Sequence, residues 1–263
     1  MLERVLALVS ILVLWAPPAV QSSSISQDEL KSLCRGYEAA FELVDLNTGE
    51  TIRLNPALCA KRQPPCSTFK IFNSLVGLDT GVLPSENHSM RWDGTKYDIS
   101  DWNRDQTLQS AVTNSVVWYF QRVASSVGAK RMQRYIDLAP YGNRDISSGI
   151  TNFWLSKSLK VSADEQVSLL KRLINDDLPF SKRSMAIVRG LIRLDQTDRG
   201  TLYGKTGSGH LDDRNGLGWF VGYVVQPGGS TYVFATNIQA ASSAWGPKAR
   251  DITREILKKL ELL

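Results

Sequence analysis

Hydrophobic and polar positions change period several times along the chain. Residues 39–54 alternate, with Phe41 and Leu43 on the apolar side and Leu46 beside a break at Asn47-Thr48-Gly49. The return over residues 51–54 predicts a β-hairpin. A loop rich in Pro and Cys follows at 56–66. Residues 67–80 then take a helical period, with Ile71, Leu75 and Leu78 on one stripe and Gly81 as the stop. Residues 83–189 read mainly as helices and loops. Within them, Ser162-Ala163-Asp164-Glu165 has the pattern of a capping box and opens an amphipathic helix carrying Val167, Leu170 and Ile174. Residues 141–160 are polar, contain Gly142, Asn143 and Gly149, and predict a long surface loop. Strands return near the end. Residues 201–205 predict a short one, and 217–225, apolar on both faces, a central one. Pro227-Gly228-Gly229 is a turn, and 231–238 run back antiparallel. An amphipathic helix over 248–260, with Ile252, Ile256 and Leu260 on one side, closes the chain.

Strands at both ends and helices between them predict an α+β fold. One antiparallel sheet, flanked by helices and built from both termini, would carry an inserted all-helical domain. The sheet lobe is expected at about 25–82 and 190–263, and the helical insert at about 83–189. With 263 residues the chain can bury a substantial core. Residues 1–24 read differently. Arg4 precedes an apolar run at 5–16, and Pro17, Pro18, Ala19 and Ser22-Ser23-Ser24 follow, which predicts a secretory leader. The run is too short for an ordinary membrane span. Glu3 offsets Arg4, so an uncleaved anchor is the alternative. The remaining 25–263 is expected in the periplasm or secreted, without stable membrane association.

At 43% hydrophobic and 22% charged residues, the composition excludes wholesale disorder. The net charge of +5 comes from bases scattered among acids, such as Lys182-Arg183 near Asp176-Asp177. That is a solvated basic surface rather than a nucleic-acid site. Cys34, Cys59 and Cys66 are odd in number. A Cys59–Cys66 bridge and a buried free thiol at Cys66 are both compatible with the sequence. His88 and His210 match no zinc spacing, and neither a metal nor an organic cofactor is expected.

The chemistry concentrates in three short motifs. In Ser67-Thr68-Phe69-Lys70, a serine and a lysine three apart share one helix face, which puts a hydroxyl nucleophile beside an amine base. A helix start and burial beside Phe69 both favour the neutral amine, and free N–H groups there can hold an oxyanion. A second such spacing, Ser168 to Lys171, falls on an amphipathic helix and reads as an exposed face. Ser115-Val116-Val117 lies in an apolar stretch beside Trp118, Tyr119 and Phe120. Lys205-Thr206-Gly207 follows the short strand and offers a cation and a hydroxyl to a carboxylate, with Gly207 permitting close approach. Alone, the last two read as structural. In this order the three point to an enzyme that acylates its own serine.

These motifs, with Tyr141-Gly142-Asn143, Phe153-Trp154-Leu155 and Trp219-Phe220-Val221-Gly222, resemble those of the penicillin-recognising serine enzymes, and more narrowly the class D β-lactamases. The resemblance runs over about 67–250. It implies hydrolysis of the β-lactam amide, and resistance to β-lactams. Ser67 would be the acylated nucleophile. Lys70 would be the base, carboxylated reversibly on nitrogen by carbon dioxide, with the Trp154 indole N–H as its donor. Ser115 would relay a proton to the lactam nitrogen. Lys205, Thr206 and Arg250 would hold charge and the substrate carboxylate. The N–H groups of Ser67 and Ser208 would form the oxyanion hole, and Val117 and Leu155 an apolar lid over Lys70. Ser208 departs from the aromatic frequent at that place in the family, which bears on substrate preference rather than on a backbone donor. The implied partners are small-molecule β-lactams, with a homodimer left open. A β-lactam sensor domain and a cell-wall transpeptidase or carboxypeptidase are the rivals.

Overall fold

The computed structural model describes residues 24–211 and 216–263; all but Ser24 of the expected leader lies outside them. The hairpin forms as β1 (Glu38–Asp45) and β2 (Thr51–Leu54), after a short α1 (Gln27–Leu33) whose first turn is closed by a Ser26–Glu29 capping box. α2 (Pro56–Ala60) fills the following loop, and α3 (Lys70–Asp79) follows. The middle of the chain carries a two-stranded ribbon, β3 (Ser89–Met90) with β4 (Gln106–Thr107). Around it run α4 (Leu108–Thr113), α5 (Val117–Val127), α6 (Ala129–Leu138), α7 (Ala163–Ile174) and α8 (Lys182–Leu191). β5 (Arg193–Gln196), β6 (Thr201–His210), β7 (Gly216–Val225) and β8 (Thr231–Ala240) return to the sheet, and α9 (Gly246–Lys259) closes the chain.

The main sheet is antiparallel, in the order β2-β1-β8-β7-β6-β5. The first and last segments of the sequence therefore meet at its centre, where β1 lies along β8 with Phe41 opposite Thr236. Strand side chains alternate between two apolar layers. Ala39, Phe41, Phe220, Phe234 and Ile238 pack with Leu30, Ile252 and Ile256 of α1 and α9. Ala40, Val44, Trp219, Val221 and Ala235 pack with α3, α5 and α7. Coverage on both faces explains why β7 is buried almost end to end.

One expectation is corrected and a second refined. The strand expected at 201–205 runs on to His210, so Lys205-Thr206-Gly207 lies inside a strand and not after one. The segment at 141–160 is an irregular loop, mostly at the surface as expected, but four of its side chains anchor it. Tyr141, Phe153, Trp154 and Leu159 are buried in the helical-side core, while its polar residues satisfy one another, as where Asn143 accepts from the Lys160 N–H at 2.9 Å. Gly142 is indispensable there: φ is +56°, and a Cβ would collide with the Lys160 carbonyl.

Candidate active site

Ser67 sits on a single 3-10 turn, Cys66–Phe69, that feeds into α3; the regular helix begins at Lys70 and not at Ser67. Cys66 has φ +50°, which swings the chain sharply into the turn. Neighbouring segments hold the turn. The Cys66 N–H donates to the Trp154 carbonyl at 3.0 Å, and the Trp219 indole donates to the Pro64 carbonyl at 2.9 Å. Ser67 itself stays half-buried and reachable.

Lys70 Nζ and Ser67 Oγ are hydrogen-bonded at 2.7 Å. The lysine is 1% exposed. Burial first, and then the charge of Lys205, push its pKa well below the ordinary lysine range. Its Nζ lies 5.6 Å from the centre of the Phe120 ring. Phe69 stacks on Trp154 at 5.6 Å between ring centres, and Phe153 meets Trp154 edge-on at 5.0 Å. Within this wall the Trp154 Nε1–H is fully buried and has no hydrogen-bond partner. A donor left bare in an apolar wall is costly, by about 1–3 kcal/mol.

Ser115 joins α4 to α5 with φ +55°, a strained value for a residue with a side chain. Lys205 Nζ donates to Ser115 Oγ at 3.0 Å and to the Thr206 carbonyl at 3.1 Å. Burial lowers the Lys205 pKa to about 7. β6 thus presents two faces. Lys205, Gly207 and Gly209 turn to the nucleophile side, where a Cβ on Gly207 would stand 2.9 Å from the Pro65 carbonyl and 3.1 Å from Thr68 Cγ2. Thr206 and Ser208 turn to α9. A Cβ on Gly246 would stand 2.8 Å from Thr206 Cβ, and Ser208 Oγ accepts the Gly246 N–H at 2.9 Å. Ser208 is therefore a brace between β6 and the start of α9.

Arg250, on α9, is partly exposed, with Nε 3.6 Å from Asp251 Oδ1. It lines a cavity of about 500 Å³ together with Thr113, Leu191, Lys205 and Thr206. Val117 opens α5 two residues after Ser115, and Leu155 follows Trp154; both are half-buried. The structure thus joins Ser67 to Lys70 and Ser115 to Lys205, and sets Arg250 beside Thr206. The three thiols are buried and free. Cys59 Sγ is committed to the Leu54 and Phe41 carbonyls at 3.3 and 3.5 Å. Burial pushes the Cys66 pKa to about 11, so the thiol next to the nucleophile stays protonated and inert.

Three supporting residues escaped the sequence reading. The Trp102 indole donates to the Asn114 carbonyl at 3.0 Å, bracing the Ser115 bend. Ser156 Oγ accepts the His210 N–H at 3.0 Å, tying the Trp154 segment to β6. Gln166 donates to Thr68 at 2.8 Å; its signal is a polar residue on the apolar side of α7. Among the described residues, no group of three or more His, Cys, Asp and Glu is arranged to hold a metal. Among them, too, no helix is long and apolar enough to cross a membrane.

Known proteins resemble the chain over most of its length. The penicillin binding protein transpeptidase domain family matches residues 37–258. The solved structure of the class D β-lactamase BAT-2 superposes with a TM-score of 0.84 at 39% identity, over 91% of this chain and 99% of that one. The chain belongs to the class D serine β-lactamases. The probable β-lactamase YbxI of Bacillus subtilis (strain 168) is 43% identical over 240 residues, 91% of this chain and 87% of that protein. The regulatory protein BlaR1 of Bacillus licheniformis is 35% identical over 219 residues, 83% of this chain but only 36% of that longer protein. The chain is thus similar both to a probable β-lactamase over most of its length and to part of a regulatory protein.

Proposed function

We propose that this class D enzyme opens the β-lactam amide through an ester on Ser67 and then hydrolyses that ester. The observation that carries the reading is the pairing of Ser67 Oγ with a buried, charge-averse Lys70 Nζ at 2.7 Å. Ser67 Oγ attacks the lactam carbonyl carbon as its proton passes to the Lys70 side chain. Negative charge on the carbonyl oxygen is met by the N–H groups of Ser67 and Ser208. Ser115 Oγ, bonded to Lys205, gives a proton to the lactam nitrogen as the C–N bond breaks, and Lys205 replaces it. Arg250 and Thr206 hold the substrate carboxylate, a task suited to a guanidinium fork. Lys70 then sheds that proton and Lys205 regains one through solvent. A water attacks the ester carbonyl carbon, its proton going to the Lys70 side chain, which passes it to Ser67 Oγ as the ester C–O bond breaks.

Reversible carboxylation of Lys70 by carbon dioxide fits the residues present. The amine is disposed to be neutral, as carboxylation requires, and the bare Trp154 N–H supplies a donor within the same apolar wall. When bound, the carboxyl group would supply a stronger, anionic base. Val117 and Leu155 would limit water around it. Read with a removable leader at 1–24, the enzyme would act outside the cytoplasm and confer β-lactam resistance.

BlaR1 similarity favours a second reading, a receptor that acylates and then stalls. Turnover of a chromogenic cephalosporin by residues 25–263, with intact-mass analysis, separates the two. Many turnovers with a transient Ser67 adduct are expected. One equivalent of lasting adduct would instead mark a receptor. Activity in carbon-dioxide-depleted buffer is expected to rise on adding bicarbonate, and indifference to bicarbonate would remove the carboxylation.

A further inference from the structure

We propose that Gln166 is a positioning residue for the nucleophile, acting on Ser67 through the Thr68 hydroxyl. The inference rests on Ser67 being the acylated residue. Gln166 is 1% exposed and sits on the core side of α7 with Ala163, Val167 and Leu170. An amide there must be hydrogen-bonded to be tolerated. Its Nε2 donates to Thr68 Oγ1 at 2.8 Å, across 98 residues of sequence. Thr68 Oγ1 donates its only proton to the Pro65 carbonyl at 2.7 Å, so toward Gln166 it can only accept. The bond therefore has one direction and one amide orientation.

The rest of α7's entry is fastened to the same stretch of chain. Gln63 and Val161 exchange two backbone bonds, at 2.9 and 2.8 Å. Arg62 Nε lies 3.0 Å from a Glu165 carboxylate oxygen, and Glu165 closes the capping box with Ser162. The Tyr141 hydroxyl, buried without a hydrogen bond of its own, ends beside Thr68 and Gln166. On its other side, Thr68 is what Gly207 packs against, since a Cβ there would stand 3.2 Å from the Thr68 N. Gln166 therefore backs the 3-10 turn and presses it toward β6. It sets the gap between Ser67 and the strand that carries Lys205 and the Ser208 N–H. Substrate binding by Arg250 and Thr206 does not pass through this contact, whereas attack by Ser67 does.

Single-turnover acylation, followed by absorbance and by mass on Ser67, separates the rate at saturation from the binding constant. Gln166→Met and Thr68→Val are each expected to slow acylation about ten-fold or more, with binding changed less than about two-fold. The double variant is expected to be no slower than the slower single, because both changes break one chain of bonds. Thr68→Ser keeps the hydroxyl and is expected to acylate near the wild-type rate. If Gln166→Met fails to fold, the Thr68→Val and Thr68→Ser pair still decides. Wild-type rates in the first two variants, additive losses, or a Thr68→Ser variant as slow as Thr68→Val would each overturn the proposal while leaving Ser67 as nucleophile. A wild-type chain that gives no adduct on Ser67 would overturn both.

Discussion

Two buried amines, each bonded to a serine hydroxyl, govern the residue scale. Burying Lys70 and Lys205 within reach of one another's charge is costly while both are charged, and each is driven toward its neutral form. For Lys205 the folded state gives up the proton near pH 7, against 10.5 for an ordinary lysine. The cost is full below pH 7 and fades as pH climbs toward the ordinary value. Lys205→Met is therefore expected to raise the melting temperature at pH 6, with the gain shrinking toward pH 10, and to lower kcat/KM about 10²-fold or more. Thermal melts across pH check the first, and steady-state kinetics the second. Trp154→Phe keeps the packing on Phe69 and Phe153 but removes the bare N–H. Turnover is expected to fall about 10²-fold, with adduct accumulating on Ser67 in intact-mass spectra. The four residues in these two pairs were legible in the sequence because their identity and spacing are themselves the chemistry. Trp102 and Gln166 were not. One binds a main-chain carbonyl and the other a threonine far along the chain, and neither leaves a spacing to read.

At the scale of elements, the site is a seam between one 3-10 turn and one strand. Nothing but hydrogen fits at Gly207 without pushing on the Pro65 carbonyl. Gly207→Ala is expected to cost about 1–3 kcal/mol of stability and about 10²-fold in acylation rate, measured by denaturant unfolding and single-turnover kinetics. Gly228→Ala, where a Cβ meets open space, is expected to change neither. The sequence placed a helix at the nucleophile and a strand near Lys205, but missed how the helix begins and how far the strand runs. A 3-10 turn and an α-helical turn share nearly the same apolar spacing, so periodicity does not separate them. The buried anchors of the 141–160 loop were hidden for another reason. They follow no regular period, and polar residues surround them in the sequence.

For the whole molecule, the interleaving of the two chain ends was legible because hairpin and helix periods differ so plainly. The hairpin pairings of β1 with β2 and β7 with β8 were legible too, but that of β1 with β8 was not, since those strands meet only through the fold. One polar joint lies between the hairpin and α7. Glu42, on β1, is buried against Arg53 and Asp164, with Oε2 left without a partner. Burial, with Asp164 nearby, raises its pKa although Arg53 pulls the other way. The folded carboxyl thus keeps its proton to higher pH than the unfolded one, and stability declines as pH rises through that interval. Glu42→Gln is expected to gain about 1 kcal/mol at pH 7 and little at pH 4, read from melts at both. The outer edge of β6 has a broader consequence. β5 pairs only with its first residues, Thr201 and Tyr203, so from Lys205 to His210 that edge meets no strand among the described residues. A ligand with amide groups at peptide spacing can join there as one more strand, recognised by main chain alone. Main-chain atoms are common to all residues. An inhibitor gripped mainly along that edge would leave few single substitutions by which the enzyme could escape it.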